Sequence, residues 1–138
     1  MDGRTLRVPI NKIKLKEVLC IEKTKSVKDA ISVMKKANQA CVCVVENKRL
    51  VGIFTERDVL TKVLGHNRDS MKTKLSDVMT SNPEYLLMDD EVAFALNRMH
   101  VGGFRHIPLV NEEGIPEAIL SVQDIATYLI QSIDGQQV

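Results

Sequence analysis

Gly52-Ile53-Phe54-Thr55-Glu56-Arg57-Asp58 is the stretch that decides the fold, because it returns as Ala118-Ile119-Leu120-Ser121-Val122-Gln123-Asp124. Both copies read as a short apolar strand running into a helix, with Thr or Ser at the junction and Asp three residues on. Working outward, each is followed by an apolar stripe at helical spacing. Val59, Leu60, Val63 and Leu64 form it in the first copy; Ile125, Ala126, Leu129 and Ile130 form it in the second. Gly65 stands where the first of these helices is expected to stop.

Upstream, Cys41-Val42-Cys43-Val44-Val45 corresponds to His106-Ile107-Pro108-Leu109-Val110, a second strand followed by a polar turn. Before that, Val27, Ala30, Ile31 and Met34 match Val92, Ala95, Leu96 and Met99, each set on one face of an amphipathic helix. The offset between copies is 65 here and becomes 66 after the extra turn residue Gly114. Further upstream, Lys14-Leu15-Lys16-Glu17-Val18-Leu19 matches Lys74-Leu75-Ser76-Asp77-Val78-Met79 at an offset of 60, which makes residues 80–84 an insertion in the second copy. The expected class is α/β (α+β), two β-α-β-β-α repeats packed through their sheets with pseudo-two-fold symmetry. The expected boundaries are 12–66, a polar connector 67–73, and 74–132. A unit of about 55 residues buries little core alone, so the two copies are expected to share one.

The rest of the composition is unremarkable and excludes several classes of function. A formal net charge of +1 gives no global field toward nucleic acid or an anionic membrane. The lysine groups 12/14/16 and 72/74 read as solvated faces. Charged residues throughout the first sixteen positions exclude an ordinary secretory signal, and no apolar run reaches the ~18 residues of a membrane span. Three cysteines without framework spacing fit a reducing cytoplasm, and the chain is expected to be a complete cytoplasmic domain.

These residues carry a resemblance. The Lys-Leu-x-Glu/Asp-Val-Leu/Met segments, the striped helix and the closing strand-to-helix junction, each present twice and in order, resemble a tandem pair of cystathionine-β-synthase (CBS) domains, a Bateman module. So does Phe104-Arg105-His106-Ile107-Pro108-Leu109-Val110 in the second copy. The resemblance covers about residues 12–132. It implies a non-catalytic regulatory module that binds AMP, ADP or ATP, or else NAD(H) or S-adenosylmethionine, in clefts between the repeats. It also implies a disc-like homodimer acting on an effector protein that the sequence does not name.

The resemblance further implies that Thr55 and Ser121 contact phosphate and that Asp58 and Asp124 accept from ribose hydroxyls. Both pairs also satisfy a capping-box pattern, which needs no ligand. Each cleft is expected to mix the repeats. Cleft one combines Thr55, Arg57 and Asp58 with Thr80, Asn82 and Tyr85 and with Arg105, His106 and Pro108; backbone around Thr80 and Asn82 holds the purine. Cleft two combines Ser121 and Asp124 with Leu19, Cys20 and the strand bearing Cys41 and Val42. Lacking the inserted loop and a basic pair, cleft two is expected to be the poorer anion site. Arg suits phosphate as a two-pronged donor, although alternation along a strand points only one of Arg105 and His106 into a given cleft.

Cys41 and Cys43 share a strand face, but two ligands do not make a zinc site, and buried cysteine as a small hydrophobe is the commoner case. No phosphate-loop, dinucleotide, zinc-protease or nucleophile-elbow motif occurs. A structural or dimerisation module with vestigial clefts is the alternative, and an enzyme ranks last.

Overall fold

The computed structural model describes residues 6–137. The first repeat contains strand β1 (Cys20–Glu22), helix α1 (Val27–Ala37), strands β2 (Cys41–Glu46) and β3 (Arg49–Thr55), and helix α2 (Glu56–Asp58). The second contains α3 (Leu75–Val78), β4 (Thr80–Ser81), α4 (Val92–Gly102), β5 (His106–Val110), β6 (Pro116–Ser121) and α5 (Val122–Gln137). The architecture is mixed α+β, with one four-stranded sheet ordered β1-β2-β3-β4 and one hairpin, β5-β6.

Local chemistry explains each matched element. Ser26 caps α1 through a reciprocal box with Asp29; Val27, Ala30 and Met34 are buried, and Asn38 ends the helix at φ 53°. Its counterpart α4 buries Val92, Ala95 and Met99 and ends at Gly103, φ 71°. The hairpins also correspond: Cys41 lies opposite Thr55 as His106 lies opposite Ser121, and both carry a register shift, between Val44 and Val45 and between Leu109 and Val110.

The helices after the two hairpins differ. α5 runs through sixteen residues, whereas α2 widens into a π-turn at Val59–Val63 and tightens into a 3-10 turn at Leu64–His66. The stop is at Asn67, φ 58°, and not at Gly65, which lies inside the 3-10 turn. A left-handed Asn ends this segment, as Asn38 ends α1.

The segments leading into each repeat depart most from expectation. Residues 8–13, which include a 3-10 turn at Ile10–Lys12, dock on the second repeat: Val92 N–H donates to Val8 O, Ile10 N–H to Asp90 O and Asn11 N–H to Met88 O, each at 2.9 Å. Residues 73–78 dock on the first repeat by the same three bonds, Val27 to Thr73, Leu75 to Lys25 and Ser76 to Lys23, at 2.9, 2.9 and 3.1 Å. Each leader therefore crosses to the other repeat. The equivalence is Ile10 with Leu75 and Ile13 with Val78, an offset of 65 that holds from the start. The offset of 60 is corrected, and residues 80–84 are not an insertion.

The shared core is corrected as well. Buried apolar residues form two clusters. One joins Ile10 and Ile13 to Leu86, Val92, Ile107, Leu109, Leu120 and Ile125; the other joins Leu75 and Val78 to Val27, Val42, Val44, Phe54 and Val63. Every repeat completes its core with the other's leader. β2 is buried on both faces, with Val42 and Val44 inside its own cluster, and it also comes against β6 of the other repeat.

Two substitutions between copies account for the unequal sheets. Cys43 N–H donates to Leu19 O at 2.8 Å beside the parallel β1–β2 pairing, but its equivalent, Pro108, has no N–H. Pairing there shrinks to one parallel bridge, Leu86 with Leu109. Conversely, β4 packs on β3 with Ser81 opposite Gly52. A Cβ on Gly52 would lie 2.3 Å from Met79 Sδ and 3.1 Å from Thr80 O. The second copy has Ala118 at this position, and among the described residues no strand equivalent to β4 forms beside β6.

Candidate functional site

Two clefts open between the repeats, of about 930 and 860 Å³. Cleft one is lined by Thr55, Arg57, Asp58, Thr80, Asn82, Arg105 and His106, together with Lys62, Gly103 and Phe104. Cleft two is lined by Ser121, Asp124, Ala40 and Cys41, together with Lys14, Leu15, Lys16, Gln39 and Thr127. Ala40, Glu56, Arg105 and His106 line both, so the expectation that only one of Arg105 and His106 reaches a given cleft is corrected: Arg105 precedes β5 and lies outside its alternation.

The junction residues are held by reciprocal capping boxes. Thr55 N–H donates to Asp58 Oδ2 at 2.9 Å and Asp58 N–H donates to Thr55 Oγ1 at 3.3 Å. Ser121 N–H donates to Asp124 Oδ2 at 2.9 Å and Asp124 N–H donates to Ser121 Oγ at 3.0 Å. Each box leaves one carboxylate oxygen and one hydroxyl proton outside it. Thr55→Ala is expected to cost about 1 kcal/mol of stability, the ordinary value of an N-cap, read from the urea midpoint. An unchanged midpoint would remove the capping role.

Several expected site residues lie elsewhere. Tyr85 is exposed and lines a separate depression of about 520 Å³ with Pro83, Leu87 and Asn111. Pro108 is buried in β5, and Val42 is buried in its repeat's core. Cys20 and Leu19 line neither cleft. The misplacement of Leu19 and Cys20 has one cause. An offset of 60 puts them where Met79 and Thr80 stand; the offset of 65 puts Lys14 and Leu15 there. Cleft two therefore has a loop of its own and two lysines, and the expectation that it lacks both is corrected.

Burial sets the chemistry of the central residues. His106 is driven below its ordinary pKa by burial, against the opposing pull of the Asp124 and Glu56 carboxylates, so the neutral ring has one donor and one acceptor at neutral pH. Cys43 is pushed up to about 12 and Cys41 well above its ordinary value, both chiefly by burial, so neither is a thiolate. Among the described residues no group of three or more His, Cys, Asp or Glu is placed to hold a metal ion. No helix among them is long and apolar enough to cross a membrane.

Two homologous half-sites, each headed by a boxed Thr/Ser–Asp pair and each lining a cleft with residues of the other repeat, define the class as a paired-repeat module with inter-repeat clefts. The CBS domain pattern matches residues 10–65 and 75–131, both in the register of the crossed leaders, and the chain belongs to the CBS domain family. It is 34% identical over 106 residues to the CBS domain-containing protein CBSCBSPB1 of Arabidopsis thaliana, covering 77% of this chain and 20% of that protein. The chain spans a fifth or less of the first curated relatives it matches. Among solved structures, the CBS domain protein PAE2072 from Pyrobaculum aerophilum, complexed with AMP, superposes with a TM-score of 0.80 at 20% identity, over 90% of this chain and 97% of that one. The CBS domain pair of protein MJ0100, in complex with 5′-methylthioadenosine and S-adenosyl-L-methionine, gives 0.80 at 23% identity, over 88% and 98%.

Proposed function

We propose that this chain is a regulatory module that binds an adenosine-containing ligand, an adenine nucleotide foremost, in the clefts between its CBS repeats and performs no chemistry on it. The observation that carries this reading is the repetition of one arrangement at two clefts. In each, a Thr or Ser hydroxyl and an Asp carboxylate oxygen are left over from the capping box, facing strand and leader residues of the other repeat. The spare carboxylate oxygen suits a ribose hydroxyl, and the hydroxyl proton with the Arg105 guanidinium suits a phosphate. The ligands of PAE2072 and MJ0100 share an adenosine moiety, which supports the same class here.

The protein acts, on this reading, in the cytoplasm as a homodimer that signals to an effector. Leu64 and Ile130, equivalent and exposed on the two closing helices, supply apolar surface for the dimer. A purely structural module is the second reading, favoured by the fact that both boxes are complete without a ligand.

A thermal-shift panel of AMP, ADP, ATP, NAD(H), 5′-methylthioadenosine and S-adenosylmethionine separates the two. A ligand at ~100 times its Kd adds about 2.7 kcal/mol, a clear rise in Tm. No shift with any of them at millimolar concentration would overturn the sensor reading and leave the structural one.

A further inference from the structure

We propose that Lys62 sets the ligand preference of cleft one, selecting adenosine ligands that carry a phosphate and disfavouring neutral nucleosides. The inference rests on reading the clefts as adenosine sites. Lys62 lies one helical turn beyond Asp58. Its Nζ is 3.4 Å from Asp58 Oδ1 and donates to Thr80 Oγ1 at 3.3 Å. The ammonium thus ties the helical segment after Asp58 to β4 along one wall of the cleft.

The consequence follows from counting acceptors. Asp58 Oδ2 is committed to the Thr55 N–H. Oδ1 is the oxygen left for a ribose hydroxyl, and Lys62 already holds it. A ribose hydroxyl that donates to Oδ1 shares that oxygen with the ammonium, which partly neutralises it, while the ammonium, 38% exposed, keeps a donor for a further acceptor. A phosphate in the same cleft provides one. Adenosine and 5′-methylthioadenosine, which have no anionic group, do not. Arg57 and Arg105 also line the cleft, but among the described residues neither pairs with Asp58.

Cleft two is an internal control. The position equivalent to Lys62 is Tyr128, which packs against the second core, and among the described residues no cation lies within ion-pair distance of Asp124. The contribution of Lys62 is therefore confined to cleft one, and it is not visible in the sequence because a helical lysine reads as a solvated face.

Lys62→Met keeps the length of the side chain and removes the charge. AMP, adenosine and 5′-methylthioadenosine are titrated against both proteins, read at the backbone amide resonances of Thr61 and Gly103, which line cleft one and not cleft two. AMP is expected to bind the variant about fivefold more weakly, and the two neutral nucleosides about twofold more tightly, the scale of one partly exposed ion pair. Lys62→Arg, which keeps the charge, restores the preference for AMP. If AMP and the nucleosides shift together, or neither shifts, Lys62 is not the selector although the clefts still bind adenosine ligands. If the unaltered protein binds none of the three, the reading of the clefts fails and this inference with it.

Discussion

Arg105→Ala is expected to weaken AMP and ADP in both clefts at once, by about ten- to a hundredfold, while leaving adenosine nearly unchanged. The magnitude is that of a lost charge-assisted hydrogen bond, ~1.5–3 kcal/mol. The simultaneity comes from the fold. Arg105 just before β5 and His106 at its start line both clefts, while the equivalent residues of the first repeat are Ala40 and Cys41. The centre of the module therefore has one guanidinium where perfect symmetry would give two. His106 adds a hydrogen bond but no charge at neutral pH, since burial holds its ring below the ordinary range. Calorimetric titration of the variant checks the claim, with Arg105→Lys as its companion. A lysine returns the charge without the two-pronged geometry and should recover part of the affinity. Loss in one cleft with the other untouched would contradict a shared cation.

Much of this arrangement was legible in the residues because it is local. The stripes of α1 and α4, the hairpins, and the Thr/Ser-x-x-Asp junctions each depend on neighbours within one turn or one hairpin, and their patterns survive without knowledge of the partner. The leaders depend on what they dock against. Lys14-Leu15-Lys16-Glu17-Val18 and Lys74-Leu75-Ser76-Asp77-Val78 look alike, yet Leu75 is a buried core residue and Leu15 lies at the edge of cleft two. The true partner of Leu75 is Ile10, and the signal was the weaker pair Ile10/Ile13 against Leu75/Val78 at the same spacing. Five residues of slip then carried the cleft-two assignment from Leu15 to Cys20. Pro108 illustrates a different limit: its place in a strand was legible, but the hydrogen bond that its missing N–H deletes was not. Lys62 marks a third, since its role comes from a contact with Thr80 across the repeat boundary.

Ile10→Ala is expected to destabilise the protein by about 2–5 kcal/mol, the range for truncating a fully buried aliphatic side chain. The loss should appear first in the second repeat. Ile10 is 0% exposed and belongs to the cluster of Val92, Ile107, Leu109 and Leu120, although in the chain it opens the first repeat. The main-chain bonds from Ile10 to Asp90 and from Val92 to Val8 hold the leader there, so the side chain cannot retreat without breaking them. Hydrogen exchange on the variant should show α4, β5 and β6 losing protection ahead of β2 and β3. Leu75→Ala is the mirror experiment: Leu75 is equally buried, in the cluster of Val27, Val44 and Phe54, and its loss should loosen β2 and β3 first. A cost below about 1 kcal/mol, or first loosening in the first repeat on truncating Ile10, would contradict the crossed leaders. If both variants behave as expected, each repeat depends on a segment outside itself, and the two stabilities are coupled through the leaders. That coupling reaches the clefts, because Lys14, Leu15, Thr80 and Asn82 are continuations of those leaders into the cleft walls. A ligand gripping either wall would then stabilise both cores together, and its stabilisation should fall in each leader variant more than its affinity for the folded state does.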